Sequence, residues 1–170
     1  MSVGSNINPA ANVRKAIRRL ALQVQVVGVS TVYCTEPVGR LEQQPYYNCV
    51  AEIVTEASPV ELKHRVLRGI EADLGRERSE DKYAPRTIDL DLIAYDDLVM
   101  ETDGLTLPDP QILRRPFLAI GLRELAPRWT VQGLNRPMEE VAAALPQGSM
   151  KPLANYTLLL RRGIRHGSEQ

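Results

Sequence analysis

Residues 47–75 read YNCVAEIVTEASPVELKHRVLRGIEADLG, and the order of elements follows from them. Residues 47–56 favour a strand, being rich in apolar and β-branched types. Ser58-Pro59-Val60-Glu61 then opens a helix: Ser58 caps it, Pro59 sits in its first turn, and Glu61 closes a capping box. Leu62, Val66, Leu67, Ile70 and Leu74 form one apolar stripe, and Gly75 ends it.

Downstream, residues 76–85 form a charged loop without an apolar anchor, expected to order on a ligand. A strand follows, in which Ile88, Leu90 and Leu92 alternate with Thr87, Asp89 and Asp91. Upstream, residues 1–3 read as the end of a first strand, before the turn-prone Gly4-Ser5-Asn6. Asn8 is expected to cap a helix that has Pro9 at its first position and Val13, Ile17, Leu20 and Ala21 facing the core. Residues 24–35 (VQVVGVSTVYCT) predict one long strand with a bulge or bend at Gly28, and residues 36–45 a polar loop. The order is β-α-β-β-α-β: an α+β, ferredoxin-like antiparallel sheet with its helices on one face, plus a C-terminal extension, in a single domain over 1–170. The first strand belongs inside such a sheet, yet only three residues precede Gly4. Either upstream residues complete it or it is unusually short.

In the extension, a turn at Asp96-Asp97 leads to a return strand over 98–101 and an extended stretch over 105–110. Helices are expected over 114–125, entered through Pro116, and over 137–145, opened by Asn135 or Arg136. Residues 156–160 suggest an edge strand and 161–170 a frayed tail.

At 170 residues the chain can bury about 70% of the surface its unfolded form exposes. With 44% hydrophobic and 25% charged residues it has the composition of a soluble domain. A net charge of zero argues against a surface built to coat nucleic acid, so any basic patch is local, as at 76–86. No apolar run reaches membrane-spanning length, and the N-terminus lacks the basic and apolar regions of a secretion signal. Cys34 and Cys49 lack CxxC spacing and read as free thiols of a reducing compartment, the cytoplasm.

Two acids inside an apolar strand need a reason, because acidic residues are poor strand formers. Asp89 and Asp91 share a face roughly 6–7 Å apart, a spacing suited to hard cations such as Mg²⁺ held together with substrate phosphates. Arg76, Arg78, Lys82 and Arg86, just upstream, suit phosphate oxygens. A solvated face with local ion pairs is the alternative.

The segment Lys82-Tyr83-Ala84-Pro85-Arg86-Thr87-Ile88-Asp89-Leu90-Asp91-Leu92-Ile93 resembles the signature of the 6-hydroxymethyl-7,8-dihydropterin pyrophosphokinase family of the folate pathway. The resemblance extends to Gly4-Ser5-Asn6, Thr35-Glu36-Pro37-Val38-Gly39, Tyr46-Tyr47-Asn48, Ile70-Glu71, Gly75-Arg76, Leu105-Thr106-Leu107-Pro108 and Arg115-Pro116-Phe117, about residues 1–127. It implies transfer of the β,γ-pyrophosphoryl unit of ATP to the pterin hydroxymethyl oxygen, with release of AMP. It implies two Mg²⁺ ions on Asp89 and Asp91, catalytic Arg76 and Arg86, and a nucleotide side that adds Glu71, Arg78, Lys82, Asp109 and Arg115. On the pterin side it implies Thr35, Pro37, Val38, Tyr46, Asn48 and Phe117, with Tyr46 and Phe117 stacking on the ring and Asn48 reading its edge. Taken singly, Tyr46 also suits a sheet edge, Phe117 a core, Asn48 a turn, and Glu71, Arg78 and Lys82 a solvated surface. The implied substrates are ATP and a reduced pterin, without nucleic acid or membrane, and the implied state is a monomer.

The chain departs from the family pattern at Asp109, where a histidine is usual, at Gly104 for an arginine, at Tyr83 for a loop tryptophan and at Ser79 for a loop lysine. A carboxylate beside a triphosphate repels it unless protonated or metal-bound. Alternatives to the ATP-dependent enzyme are therefore a paralogue that binds pterin as a sensor or partner protein, and a pyrophosphokinase for a modified pterin.

Overall fold

The computed structural model describes residues 1–167 apart from Val38, Leu41, Arg78, Lys82, Asp103 and 133–135, and only the backbone of 165–167. The expectations placed on Val38, Arg78, Lys82, Asn135 and the end of the tail lie outside the described residues. In chain order the elements begin with β1 (Ser2–Ser5), α1 (Pro9–Ala21), β2 (Gln25–Val29), β3 (Tyr33–Thr35) and β4 (Tyr46–Val54). One helical run follows: α2 (Pro59–Glu61), a π-helical stretch Leu62–Leu67, and α3 (Arg68–Asp73). Then come β5 (Asp89–Asp91), β6 (Met100–Thr102), β7 (Leu105–Leu107), a 3₁₀ turn Pro110–Leu113 and α4 (Pro116–Leu125). The chain continues through β8 (Thr130–Val131), β9 (Arg136–Pro137), α5 (Met138–Ala144), β10 (Lys151–Pro152) and α6 (Ala154–Gly167).

The main sheet runs β10-β3-β4-β1-β5, with β2 also on β4 and every pair antiparallel. Short as it is, β1 lies inside the sheet, bonded to β4 on one side and β5 on the other. Its register sets two cross-strand rows: Asn48, Gly4 and Asp89 in one, and Val50, Ser2 and Asp91 in the next. Residues in a row point to the same face. Placing Gly4 between a polar amide and a carboxylate is thus a consequence of register.

The capping box at Ser58 forms as expected: its Oγ accepts the Glu61 N–H at 3.3 Å, and the Ser58 N–H reaches Glu61 Oε2 at 3.0 Å. Four expectations change. The long strand over 24–35 is two strands, β2 and β3, because Thr31 N–H goes to Glu124 Oε2 at 2.7 Å and Val32 N–H to Thr157 Oγ1 at 2.9 Å. The register also slips between Val26 and Gly28, at the anticipated bulge. Asn8 does not cap α1 with its side chain: at φ 43° its backbone is left-handed rather than in the extended form a capping side chain needs. Residues 156–160 are helical and the tail expected to fray from 161 continues the same helix to Gly167, since Tyr156, Leu160 and Ile164 recur every four positions and pack on the core, and the edge strand is Lys151–Pro152.

Helices also cover both faces rather than one. Cys49 and Ala51 of β4 point into a core with Val13, Ile17, Leu20, Leu62, Leu67 and Ile70, from α1 and the second helical run. Val50, between them, points the other way into Phe117, Leu118, Ile120 and Leu122 of α4 and Val141 of α5. Close packing there needs Gly121, where a Cβ would meet Val50 Cγ2 at 2.6 Å. The extension supplies the second helical layer, and with it one wall of the cleft described next. Among the described residues no helix is long and apolar enough to cross a membrane.

Candidate active site

A cleft of about 500 Å³ opens on the α4 face of the sheet. Its floor is the two cross-strand rows, its roof Glu36, Pro37 and Gln43 of one loop with Tyr83 and Arg86 of another, and its far wall residues of the segment from Asp109 to Leu118. Of the residues expected from the sequence, Thr35, Pro37, Tyr46, Asn48, Arg86, Asp89, Asp91, Asp109, Arg115 and Phe117 all line it. Arg76 and Glu71 stand just behind the floor and act on it through Asp89.

Four charged side chains lock together there. Arg76 Nη1 donates to both Glu71 Oε1 and Asp89 Oδ1, and Arg86 Nη1 donates to the other oxygen of Asp89. Glu71, only 3% exposed, also accepts the backbone N–H of Leu90 at 2.9 Å, so it ties the second helical run to β5. Asp89 is therefore paired at both oxygens with guanidinium groups. Asp91 is not: no described residue donates a hydrogen bond to it, and burial, then the charges of Asp89 and Glu71, raise its pKa from 3.8 to about 6. Arg76 and Lys63 pull in the opposite direction without cancelling that rise.

The donor set suits a hard divalent cation. A partly buried carboxylate that accepts no hydrogen bond from a described residue, beside a second carboxylate and open to a cleft, is an oxygen site that becomes favourable once positive charge enters. Among the described residues no cluster of three His, Cys, Asp or Glu side chains could enclose a metal alone, so further ligands would have to be water or substrate oxygens.

The aromatic side of the cleft is equally defined. Asn48 is 9% exposed and donates from Nδ2 to Thr35 Oγ1 at 2.8 Å, which fixes the amide plane and turns its carbonyl oxygen toward Gly4. A Cβ on Gly4 would meet that oxygen at 2.5 Å. Phe117, 8% exposed, belongs to the core with α4 and also lines the cleft. Tyr46 is half-buried, and its phenol pKa is raised by that burial.

Several residues not singled out as site residues also belong here. Asn6 N–H donates to Arg86 O at 3.1 Å and Asn6 Oδ1 accepts Arg86 N–H at 2.7 Å, so one residue holds both main-chain groups of Arg86. Gln43 accepts from Asn6 Nδ2 at 3.1 Å and donates to Tyr83 O at 2.7 Å, joining the two roof loops. Arg40 and Asp81 pair across the same gap at 2.7 Å. Lys63 donates to the carbonyl of Gly104. Asn6 lay within a recognised motif, whereas nothing in the spacing of Gln43, Lys63 or Gln111 marks them. Asp109 lines the cleft while its Oδ1 accepts the Gln111 N–H at 2.8 Å, capping the 3₁₀ turn.

Fold and cleft together define an α+β domain whose central strands carry a charged pocket walled by aromatic rings. The chain belongs to the 7,8-dihydro-6-hydroxymethylpterin-pyrophosphokinase family, whose sequence model matches residues 1–127. It is 40% identical over 132 residues to the 2-amino-4-hydroxy-6-hydroxymethyldihydropteridine pyrophosphokinase of Synechocystis, covering 76% of this chain and 66% of that protein. With the enzyme of the same name from Methylorubrum extorquens the identity is 36% over 136 residues, 78% of this chain and 85% of that one. The folic acid synthesis protein FOL1 of Dictyostelium discoideum is 30% identical over 149 residues, 87% of this chain but only 22% of that longer protein.

Proposed function

We propose that the protein transfers the β,γ-pyrophosphoryl unit of ATP to the hydroxymethyl oxygen of 6-hydroxymethyl-7,8-dihydropterin, releasing AMP, as a step of folate biosynthesis. The observation that carries this reading is the juxtaposition of Asp89 and Asp91 with Asn48 in adjacent rows of one sheet face. A flat, edge-polar ring against Asn48, Tyr46 and Phe117 would hold its substituent beside the carboxylates and arginines. A ferredoxin-like frame is supported by the strand order β3-β4-β1-β5 with the second helical run between β4 and β5.

In the transfer, the pterin hydroxyl oxygen forms a bond to the β-phosphorus with release of its proton, as the bond from that phosphorus to the α,β-bridging oxygen breaks and AMP departs. Such chemistry asks the protein for alignment and charge neutralisation more than for covalent participation. Asp89 and Asp91 would hold two Mg²⁺ ions, which when bound supply charge neutralisation for the triphosphate. Arg86, gripped at its backbone by Asn6, presents its guanidinium beside Asp89, and Arg76 braces the same carboxylate from behind. Asn48 orients the pterin edge, and the roof loops exclude water around the reacting oxygen.

What favours the enzyme over a pterin-binding paralogue is Asp91: a binding module has no use for a second, partly buried carboxylate that no described residue bonds. The test is incubation with ATP, Mg²⁺ and 6-hydroxymethyl-7,8-dihydropterin, with AMP measured by chromatography. Stoichiometric AMP and pterin pyrophosphate are expected. Tight pterin binding without AMP at saturating ATP would instead establish the paralogue.

A further inference from the structure

The wall of the cleft opposite the carboxylates contains a chain of hydrogen bonds that ends on an arginine. Asp109 N–H donates to Ile93 O at 2.8 Å, which ties the wall to the segment following β5. Asp109 Oδ1 accepts Gln111 N–H at 2.8 Å. The carbonyl of Gln111 then accepts the N–H groups of Arg114 at 3.0 Å and Arg115 at 2.9 Å. Finally, the side-chain Oε1 of Gln111 accepts Arg115 Nε at 3.1 Å. Main chain and side chain of one glutamine thus both hold Arg115.

We infer that Gln111 is a positioning residue that aims the guanidinium of Arg115 at the polyphosphate of the nucleotide. Both residues line the cleft, and the terminal Nη groups of Arg115 make no hydrogen bond to any described residue. An arginine held at Nε keeps its outer edge available as a two-pronged donor, the geometry that grips two phosphate oxygens. An arginine on an open surface otherwise samples many rotamers, and fixing one beforehand lowers the entropic cost of binding. The same chain gives Asp109 a task. Its carboxylate is committed to the turn that carries Gln111, so an acid in a phosphate-facing wall serves the arginine beside it.

This rests on the reading that a nucleotide triphosphate occupies the cleft, and the test separates the two. Gln111→Met keeps the shape of the side chain and removes the acceptor; Gln111→Ala is the second variant, and melting curves establish that each folds. Binding of ATP with Mg²⁺ is measured by titration calorimetry, independently of AMP release, for both variants in wild-type and Arg115→Ala backgrounds. The expected result is a loss of ATP affinity of about three- to tenfold in the wild-type background, with pterin affinity unchanged, and no further loss once Arg115 is gone. In an active enzyme the same change appears in KM for ATP and not in KM for pterin. Unchanged ATP affinity would reduce the contact to an idle surface pair and overturn the inference. So would an equal loss in the Arg115→Ala background, or a wild-type protein that binds no ATP. A protein that binds ATP but makes no AMP overturns the proposed activity alone.

Discussion

Gly4 and Asn48 face each other across β1 and β4 with no room for a methyl group between them, since a Cβ on Gly4 would lie 2.5 Å from Asn48 Oδ1. The amide cannot swing aside without giving up its 2.8 Å bond to Thr35 Oγ1. Gly4→Ala is therefore expected to weaken pterin binding by about tenfold or more, roughly the worth of one misaligned hydrogen bond to a buried group. Pterin fluorescence quenching reads this directly, and an affinity within twofold of wild type would show that Asn48 does not read the ring.

Asp91 sets stability against activity. Its pKa is raised to about 6, above the ordinary 3.8, so the folded protein bears a cost for ionised Asp91 that is absent below about pH 4 and fully present above about pH 6. Asp91→Asn should stabilise the ligand-free protein at pH 7.5 by on the order of 1–3 kcal/mol and by almost nothing at pH 4. The same variant should lose Mg²⁺-dependent turnover. Urea denaturation at the two pH values checks the first claim; a destabilised variant at pH 7.5 would mean Asp91 has a partner in solution.

Arg76 bridges Glu71 and Asp89 through one terminal nitrogen of a planar fork. Arg76→Lys keeps the charge but replaces that fork with a point charge on a more flexible stem, so turnover should fall by about 10²-fold, the scale of losing one aligned electrostatic contact. Pterin affinity should barely change. Steady-state AMP release beside pterin titration separates the two, and full activity in the lysine variant would reduce Arg76 to a simple counter-charge.

The two cysteines should behave differently. Cys49 is completely buried, and burial pushes its thiol up to about 12, so at pH 8 it is neutral and shielded. Cys34, on β3, is only partly covered. A maleimide reagent should label Cys34 alone in the folded protein and both residues in denaturant, as peptide mass mapping will show. Labelling of native Cys49 at a comparable rate would mean that β4 opens locally.

Much of this is legible in the amino-acid sequence. Alternation around Leu90 puts Asp89 and Asp91 on one face, the Ser58–Glu61 box locates a helix start, and the family resemblance groups Tyr46, Asn48, Arg86 and Phe117. These are local signals: a period of two, a cap, a motif. The misreadings were local signals overruled from a distance. A β-rich run over 24–35 breaks because Glu124 and Thr157, about a hundred residues away, take its N–H groups. An apolar run over 156–160 is helical because α1 and the sheet offer it a surface to cover.

By itself, then, the amino-acid sequence determined the alternation of strands and helices in the first 93 residues apart from the break in the run over 24–35, the family, and which side chains carry charge and aromatic faces. Only the tertiary structure decided that Gly4 sits between Asn48 and Asp89, that Arg76 and Arg86 are both spent on Asp89 while Asp91 has no such partner, and that Gln111 holds Arg115. The physical reason is that periodicity and capping act over a few residues and are written into neighbouring letters. Register, burial and hydrogen-bond partnership join residues tens of positions apart, and they exist only once the chain has closed on itself.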